Sequence, residues 1–153
     1  MANRAEIRLW DGENKEPLIE LLRLQTPRYF APAEEQDFNV YLENHADNYF
    51  TLVEGGTTIG CGGINYGFDG GKTARLSWDI IHPRKQGMGY GSDLVKHRLR
   101  EIAKHPGIER VVVRTTTEAE KFYEKFGFEL VYSEKDFWAS GFHLRELHLR
   151  LRD

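Results

Sequence analysis

The chain has 153 residues and a net charge of -3, and its 40% hydrophobic and 29% charged residues describe one ordinary globular domain. That charge gives no reason to expect nucleic acid, whose binders show a basic face, and no apolar run approaches the roughly 20 residues of a membrane span. The single cysteine, Cys61, excludes a disulfide framework and a cysteine-only zinc site. The segment Met1 to Ile7 lacks the apolar core and cleavage pattern of a signal peptide, so one cytoplasmic domain over residues 1–153 is expected.

Ile7-Arg8-Leu9-Trp10 alternates and predicts a first strand. Lys15 to Leu24 carries a helical stripe of Leu18, Leu21 and Leu22, with Pro17 in the first turn where its missing N–H costs little. A loop with two prolines, holding Tyr29 and Phe30, leads to a second helix over 32–44 that turns Phe38, Tyr41 and Leu42 inward. Three strands follow. Tyr49 to Val53 and Thr58 to Tyr66 flank the tight turn Glu54-Gly55-Gly56-Thr57, and Thr73 to His82 completes a meander. By the two-residue period, Arg75, Ser77, Asp79 and Ile81 are expected on one face of that third strand.

A helix to about Lys104 comes next, with Leu94, Val95, Leu99 and Ile102 on its stripe. Val111 to Thr115 is a β-branched strand, and Glu118 to Phe126 a short helix closed by Gly127. Phe128 to Ser133 and Phe142 to Leu151 read as final strands, joined by an aromatic loop containing Phe137, Trp138 and Phe142. The order βαα-βββ-α-β-α-ββ predicts an α/β (α+β) fold: a mixed, largely antiparallel central sheet flanked by helices.

Between the third strand and its helix lies Gln86-Gly87-Met88-Gly89-Tyr90-Gly91. Glycine lets the backbone approach a ligand closely, and the helix start that follows offers unpaired N–H groups to an anion. A P-loop would need Lys followed by Ser or Thr after the last glycine, but Ser92-Asp93 stands there. The glycine spacing also misses the dinucleotide fingerprint. The pattern that fits is Gln/Arg-x-x-Gly-x-Gly/Ala.

With this loop the chain resembles the GNAT superfamily of N-acetyltransferases. Ile81-x-Pro83 stands at the family's spacing before the loop, and Ala119-Glu120-Lys121-Phe122-Tyr123 through Gly127-Phe128 matches its second signature. The likeness covers about Tyr49 to Ser133.

The resemblance implies acetyl transfer from acetyl-CoA to a primary amine of a small molecule or peptide, by direct attack on the thioester. It implies that Ile80 and Ile81 present backbone groups to the pantetheine arm. The loop Gln86, Gly87, Met88, Gly89, Tyr90, Gly91 and Ser92 would hold the pyrophosphate. The strand around Thr115 and Thr116 would splay away to open a cleft; Thr116 replaces the asparagine frequent in the family. Tyr123 is the expected general acid, because a phenol with a pKa near ~10 can protonate a departing thiolate.

Some relatives carry a catalytic Glu at Arg75 or a His near Ser77, and neither residue here is an ordinary base. The base is therefore Asp79 or ordered water, with a structural ion pair as the third reading of Asp79. Tyr29, Phe30 and Trp138 are expected to wall the acceptor site. The six histidines show no ligand spacing, so no metal is expected. The resemblance also allows a homodimer paired through the C-terminal strands. A non-catalytic acyl-CoA sensor on the same fold is the alternative, and it would not need Tyr123.

Overall fold

Leucines three and four apart make the first helix amphipathic, and valines in succession make a strand buried on both faces. These patterns assemble in a computed structural model that describes residues 5–151. The ends of the expected 1–153 domain, including the first part of the Met1 to Ile7 segment, lie outside the described residues. The elements are β1 (Glu6–Leu9), α1 (Glu16–Leu24), α2 (Glu34–Asn44), β2 (Tyr49–Glu54), β3 (Thr57–Phe68), β4 (Thr73–Ile81), α3 (Tyr90–Ala103), β5 (Arg110–Thr115), α4 (Glu120–Glu124), β6 (Glu129–Ala139) and β7 (Phe142–Arg150). Their order is the expected one.

Seven strands form one mixed sheet, ordered β1-β2-β3-β4-β5-β7-β6. Among the described residues only β4 and β5 run parallel. One core lies on the α3 side, where Ile64, Leu76, Leu94, Ile102, Val111 and Val113 meet. A second lies under α1 and α2, built from Leu18, Leu22, Phe38, Tyr49, Cys61 and Ile80. Burying a side chain of this size contributes about 1.5–3 kcal/mol, so each helix is fixed mainly by its apolar stripe. Among the described residues no helix is long and apolar enough to cross a membrane.

The expected face-sharing along β4 does not hold. Cys61 pairs with Ile80 and Gly63 with Ser77, so Gly62 stands opposite two residues, Trp78 and Asp79. This is a β-bulge, and Trp78 takes φ +51 within it. Two residues against one reverse the alternation. Ala74 and Leu76 pack in the α3-side core before the bulge, whereas Ile81 joins that core after it. Arg75 and Ser77 therefore face away from α3, while Asp79 and Ile81 face toward it.

Aromatic packing holds the bulge in place. The Trp78 ring lies 4.9 Å from Phe38 and stacks at 6.1 Å on Phe30. The Tyr49 hydroxyl donates to the Trp78 carbonyl at 2.7 Å.

The aromatic loop expected before β7 is also absent. Phe137 and Trp138 lie within β6, and the hairpin turn is confined to Ser140-Gly141, with Ala139 paired to Phe142. Asp136, at φ +55, absorbs the irregularity: its backbone N–H donates to His143 Nδ1 and its carboxylate accepts the Gly141 N–H. The fourth helix is shorter than expected, with Gly127 at φ +96 closing the turn that follows it.

Gly62 has a steric reason to be glycine. A Cβ there would lie 2.9 Å from Arg98 Nη1 and from Asp79 Oδ1. Gly62→Ala is expected to destabilise the fold by about 1–3 kcal/mol, seen as a lower urea midpoint at unchanged slope.

Candidate active site

The β4–β5 ladder ends at Leu76 and Val113, although β4 continues to Ile81 and β5 to Thr115. Beyond the bulge the strands part, and a cleft of about 680 Å³ opens between them. The splay expected at Thr115 and Thr116 is present, and Thr116 lines the cleft. Ile80, Ile81, Gln86, Gly87, Gly89, Gly91 and Ser92 line it too, as do Tyr29, Phe30 and Trp138. Met88 and Tyr90 do not: the Met88 side chain is exposed and the Tyr90 ring enters the α3-side core.

The loop has the form of an anion cradle. Gly87 and Gly89 take φ +76 and +88, and nothing lies within 4 Å of where a Gly87 side chain would be. Gly89 leads straight into α3, whose first N–H groups open toward the loop. Gly91 is small for a different reason: a Cβ would press on the Phe122 ring at 3.2 Å.

Glu54 fastens both ends of the loop. One carboxylate oxygen pairs with Lys85 Nζ at 2.7 Å, and the other accepts the Tyr90 hydroxyl at 2.5 Å. Gln86 braces the loop from within, because its amide donates to the Ile81 carbonyl at 3.3 Å. The same carbonyl accepts the amide of the buried Gln25. The Ile81 carbonyl is thus not the bare group expected at that position; the chain's own amides occupy it.

At the closed end of the splay, Arg98 is fully buried. Nη1 and Nη2 donate to the two oxygens of Asp79 at 2.6 and 2.7 Å, Nη1 also to the Gly63 carbonyl, and Nε to the Leu94 carbonyl. Burial alone would lower the Arg98 pKa, but the Asp79 charge and hydrogen bonds raise it overall. The Tyr123 hydroxyl donates to Asp79 Oδ2 at 2.5 Å. Burial first, and then the Asp79 charge, push the Tyr123 phenol well above its ordinary value of 10. Asp79 lines the cleft as expected, but its carboxylate already accepts three hydrogen bonds, which leaves it poorly placed as a free base.

Several participants were missed in the sequence. Arg98 falls four residues after Leu94 and four before Ile102, within the apolar stripe, and an inward-facing arginine needs a partner. Glu34 lines the cleft and is buried, its carboxylate accepting the Ala31 N–H at 2.8 Å. Burial raises its pKa. Gln25 gave no sequence signal. Cys61 is buried and its thiol is pushed up to about 12, chiefly by burial, so it offers no thiolate. His82 caps a short turn, its Nδ1 accepting the Arg84 N–H. Among the described residues no group of three or more His, Cys, Asp or Glu side chains is placed to hold a metal ion.

The model of the acetyltransferase (GNAT) family matches residues 16–128. The chain belongs to that family. A search of curated proteins found no match. Among solved structures, this GNAT chain is similar to Ard1 from Thermoplasma volcanium, with TM-score 0.79 and 15% identity over 99% of this chain and 100% of that one. It is similar to the ribosomal-protein-S18-alanine N-acetyltransferase from Escherichia coli, with TM-score 0.73 and 19% identity over 97% and 95%. It is also similar to an aminoglycoside 6'-N-acetyltransferase complexed with coenzyme A, with TM-score 0.74 and 15% identity over 97% and 98%. These likenesses establish the fold, and the seven-stranded sheet is the GNAT sheet.

Loosening the loop at Glu54 is expected to weaken coenzyme A without touching the buried network. Glu54→Gln should lower coenzyme A affinity several-fold by titration calorimetry, because the cradle is no longer fixed before the ligand arrives.

Proposed function

We propose that this GNAT protein transfers an acetyl group from acetyl-CoA to a primary amine by direct attack, with no acyl-enzyme. The observation that carries the reading is the Tyr123 hydroxyl, buried at the splay and hydrogen-bonded to Asp79. The residues present suit the co-substrate: an open glycine cradle at the start of a 14-residue helix would hold the pyrophosphate, and the parted strands would admit the pantetheine arm. Acetyl-CoA supplies the thioester carbonyl on which the amine acts. The buried Cys61, held as a thiol, supports direct transfer over a covalent intermediate on sulfur.

Tyr123 acts as general acid toward the leaving thiolate. A raised phenol pKa makes it a weaker acid, but dry surroundings also make a thiolate more basic, so the two remain matched. Donation leaves a phenolate beside the Asp79 carboxylate, and Arg98 offsets that repulsion, since its charge favours the ionised phenol. Asp79 is therefore a positioning residue that holds the hydroxyl. The proton of the incoming amine passes to water in the open half of the cleft. Tyr29, Phe30 and Trp138 wall the acceptor.

Tyr123→Phe should lower kcat by about tenfold or more while acetyl-CoA affinity stays within about twofold, measured by thiol release and calorimetry. An unaltered kcat removes Tyr123 from the chemistry.

The sign of the pH dependence follows from the raised pKa. A general acid works while protonated, and this one stays protonated beyond the ordinary phenol range, so a Tyr123-limited kcat should fall only above about pH 10. A kcat profile that declines with a midpoint below about pH 9 assigns the acid elsewhere.

A further inference from the structure

The acceptor side of the cleft carries two arginines that neither the ion-pair network nor the cofactor loop uses. Arg75 on β4 pairs in register with Val112, and Arg114 lies two residues further along β5. Both project from the face opposite α3, and both line the cleft where the strands part. Each guanidinium is set against an aromatic ring, Arg75 at 4.0 Å from the Phe68 centroid and Arg114 at 4.9 Å from Phe137. Such stacking holds the planar fork and leaves its N–H edge for a ligand.

The charges around the pair do not cancel. Among the described residues Arg75 has no carboxylate within ion-pair distance; its contact is the Phe68 ring. Arg114 has one, Glu146, at 3.3 Å, and Glu146 also contacts His148 at 2.9 Å. Partial burial, and then the neighbouring Arg114, lower the Arg75 pKa, as expected for like charges left facing each other. Glu146 and Asp69 oppose that lowering, but Asp69 pairs with Arg110 at 3.6 Å, so two guanidiniums against Glu146 leave a single positive charge, the complement of a monoanion. Elsewhere along the cleft Arg98 and Asp79 cancel, and Glu34, Glu118 and Lys125 also line it.

We propose that Arg75 and Arg114 form a clamp for a carboxylate carried by the acceptor, so that the acceptors are amino acids and related amino-carboxylates. The proposal rests on the acetyltransferase reading for the role of that molecule. Paired planar forks bind a carboxylate through parallel N–H···O bonds, and a dianionic phosphate would leave excess charge. The weakly acidic composition points the other way, toward a cationic amine, but net charge describes the whole surface and these two side chains describe the site.

The test compares amines with and without a carboxylate: tyrosine against tyramine, histidine against histamine, and lysine against cadaverine, with O-phosphoethanolamine as the phosphate arm. Binding to the full-length protein saturated with coenzyme A, read by calorimetry, examines the clamp without chemistry. In at least one pair the carboxylate-bearing member should bind about tenfold or more tighter, about 1.4 kcal/mol. Arg75→Gln and Arg114→Gln should each collapse that preference to about twofold or less, at unchanged acetyl-CoA affinity. Arg75→Lys, which keeps the charge but not the fork, should fall between, and the thermal midpoint of every variant confirms folding.

Equal binding within every pair, a preference that survives both Gln variants, or tighter binding of O-phosphoethanolamine than of every amino-carboxylate overturns the clamp. So does an Arg75→Gln variant whose loss is in acetyl-CoA affinity instead. Thiol release with the same amines separates the two readings: selective binding without release refutes the acetyltransferase proposal alone, and release without selectivity refutes the clamp alone.

Discussion

The Arg98 guanidinium is wholly buried, and a charge in that position must be matched within hydrogen-bond reach or the fold cannot close around it. Four donor contacts meet the need: the two oxygens of Asp79 and the carbonyls of Leu94 and Gly63. Each partner comes from a different place, β4, an earlier turn of α3 and β3. The ion pair therefore ties the helix after the glycine loop to the centre of the sheet. It demands an unoccupied space at Gly62, and it fixes the acceptor for the Tyr123 hydroxyl. Taken alone such a pair is weak evidence for stability, since desolvation offsets much of its attraction. Its effect is on position.

The bulge at Trp78 makes that arrangement reachable. A regular strand would send Asp79 to the same face as Arg75 and Ser77, away from α3. One extra residue on β4 reverses the alternation, so the strand presents one cation, Arg75, to the face opposite α3 early and a carboxylate to α3 late. The same irregularity coincides with the end of the β4–β5 ladder. Charge placement and cleft opening thus have one backbone cause, secured by the Tyr49 hydroxyl on the Trp78 carbonyl and by the aromatic cluster around the indole.

Much of this was legible in the sequence. The stripe of Leu18, Leu21 and Leu22, the valines of β5 and the glycine turns gave the element order, because each pattern has its own period. Gln86, Gly89, Gly91 and Tyr123 could be located because loop and helix signatures are local. Gly60, Gly62 and Gly63 on the facing strand suggest close packing or a bulge, and the irregularity lies opposite Gly62. Its place on β4 could not be read, because Ser77-Trp78-Asp79 contains no glycine or proline to mark it and a positive φ at tryptophan is imposed by tertiary packing. The length of β6 was missed for a similar reason, since Asp136 looks like a turn residue and here bends a strand that continues. The partners of Asp79 are 19 and 44 residues away in the chain, and no local pattern announces such a meeting.

The linkage among Gly62, Asp79, Arg98 and Tyr123 also limits how the chain can change over generations. A side chain at position 62 collides with both the Arg98 guanidinium and the Asp79 carboxylate. The guanidinium cannot go without leaving the half-buried Asp79 beside a phenol and without its cation, and Asp79 cannot be lost first without stranding the buried Arg98 charge. No single replacement leads from this arrangement to another of equal stability, so any route between them passes through a weakened intermediate. These four positions should drift together or stay as they are, while the arginines on the opposite face of β4 and β5, bound to no such set, remain free to follow a new acceptor.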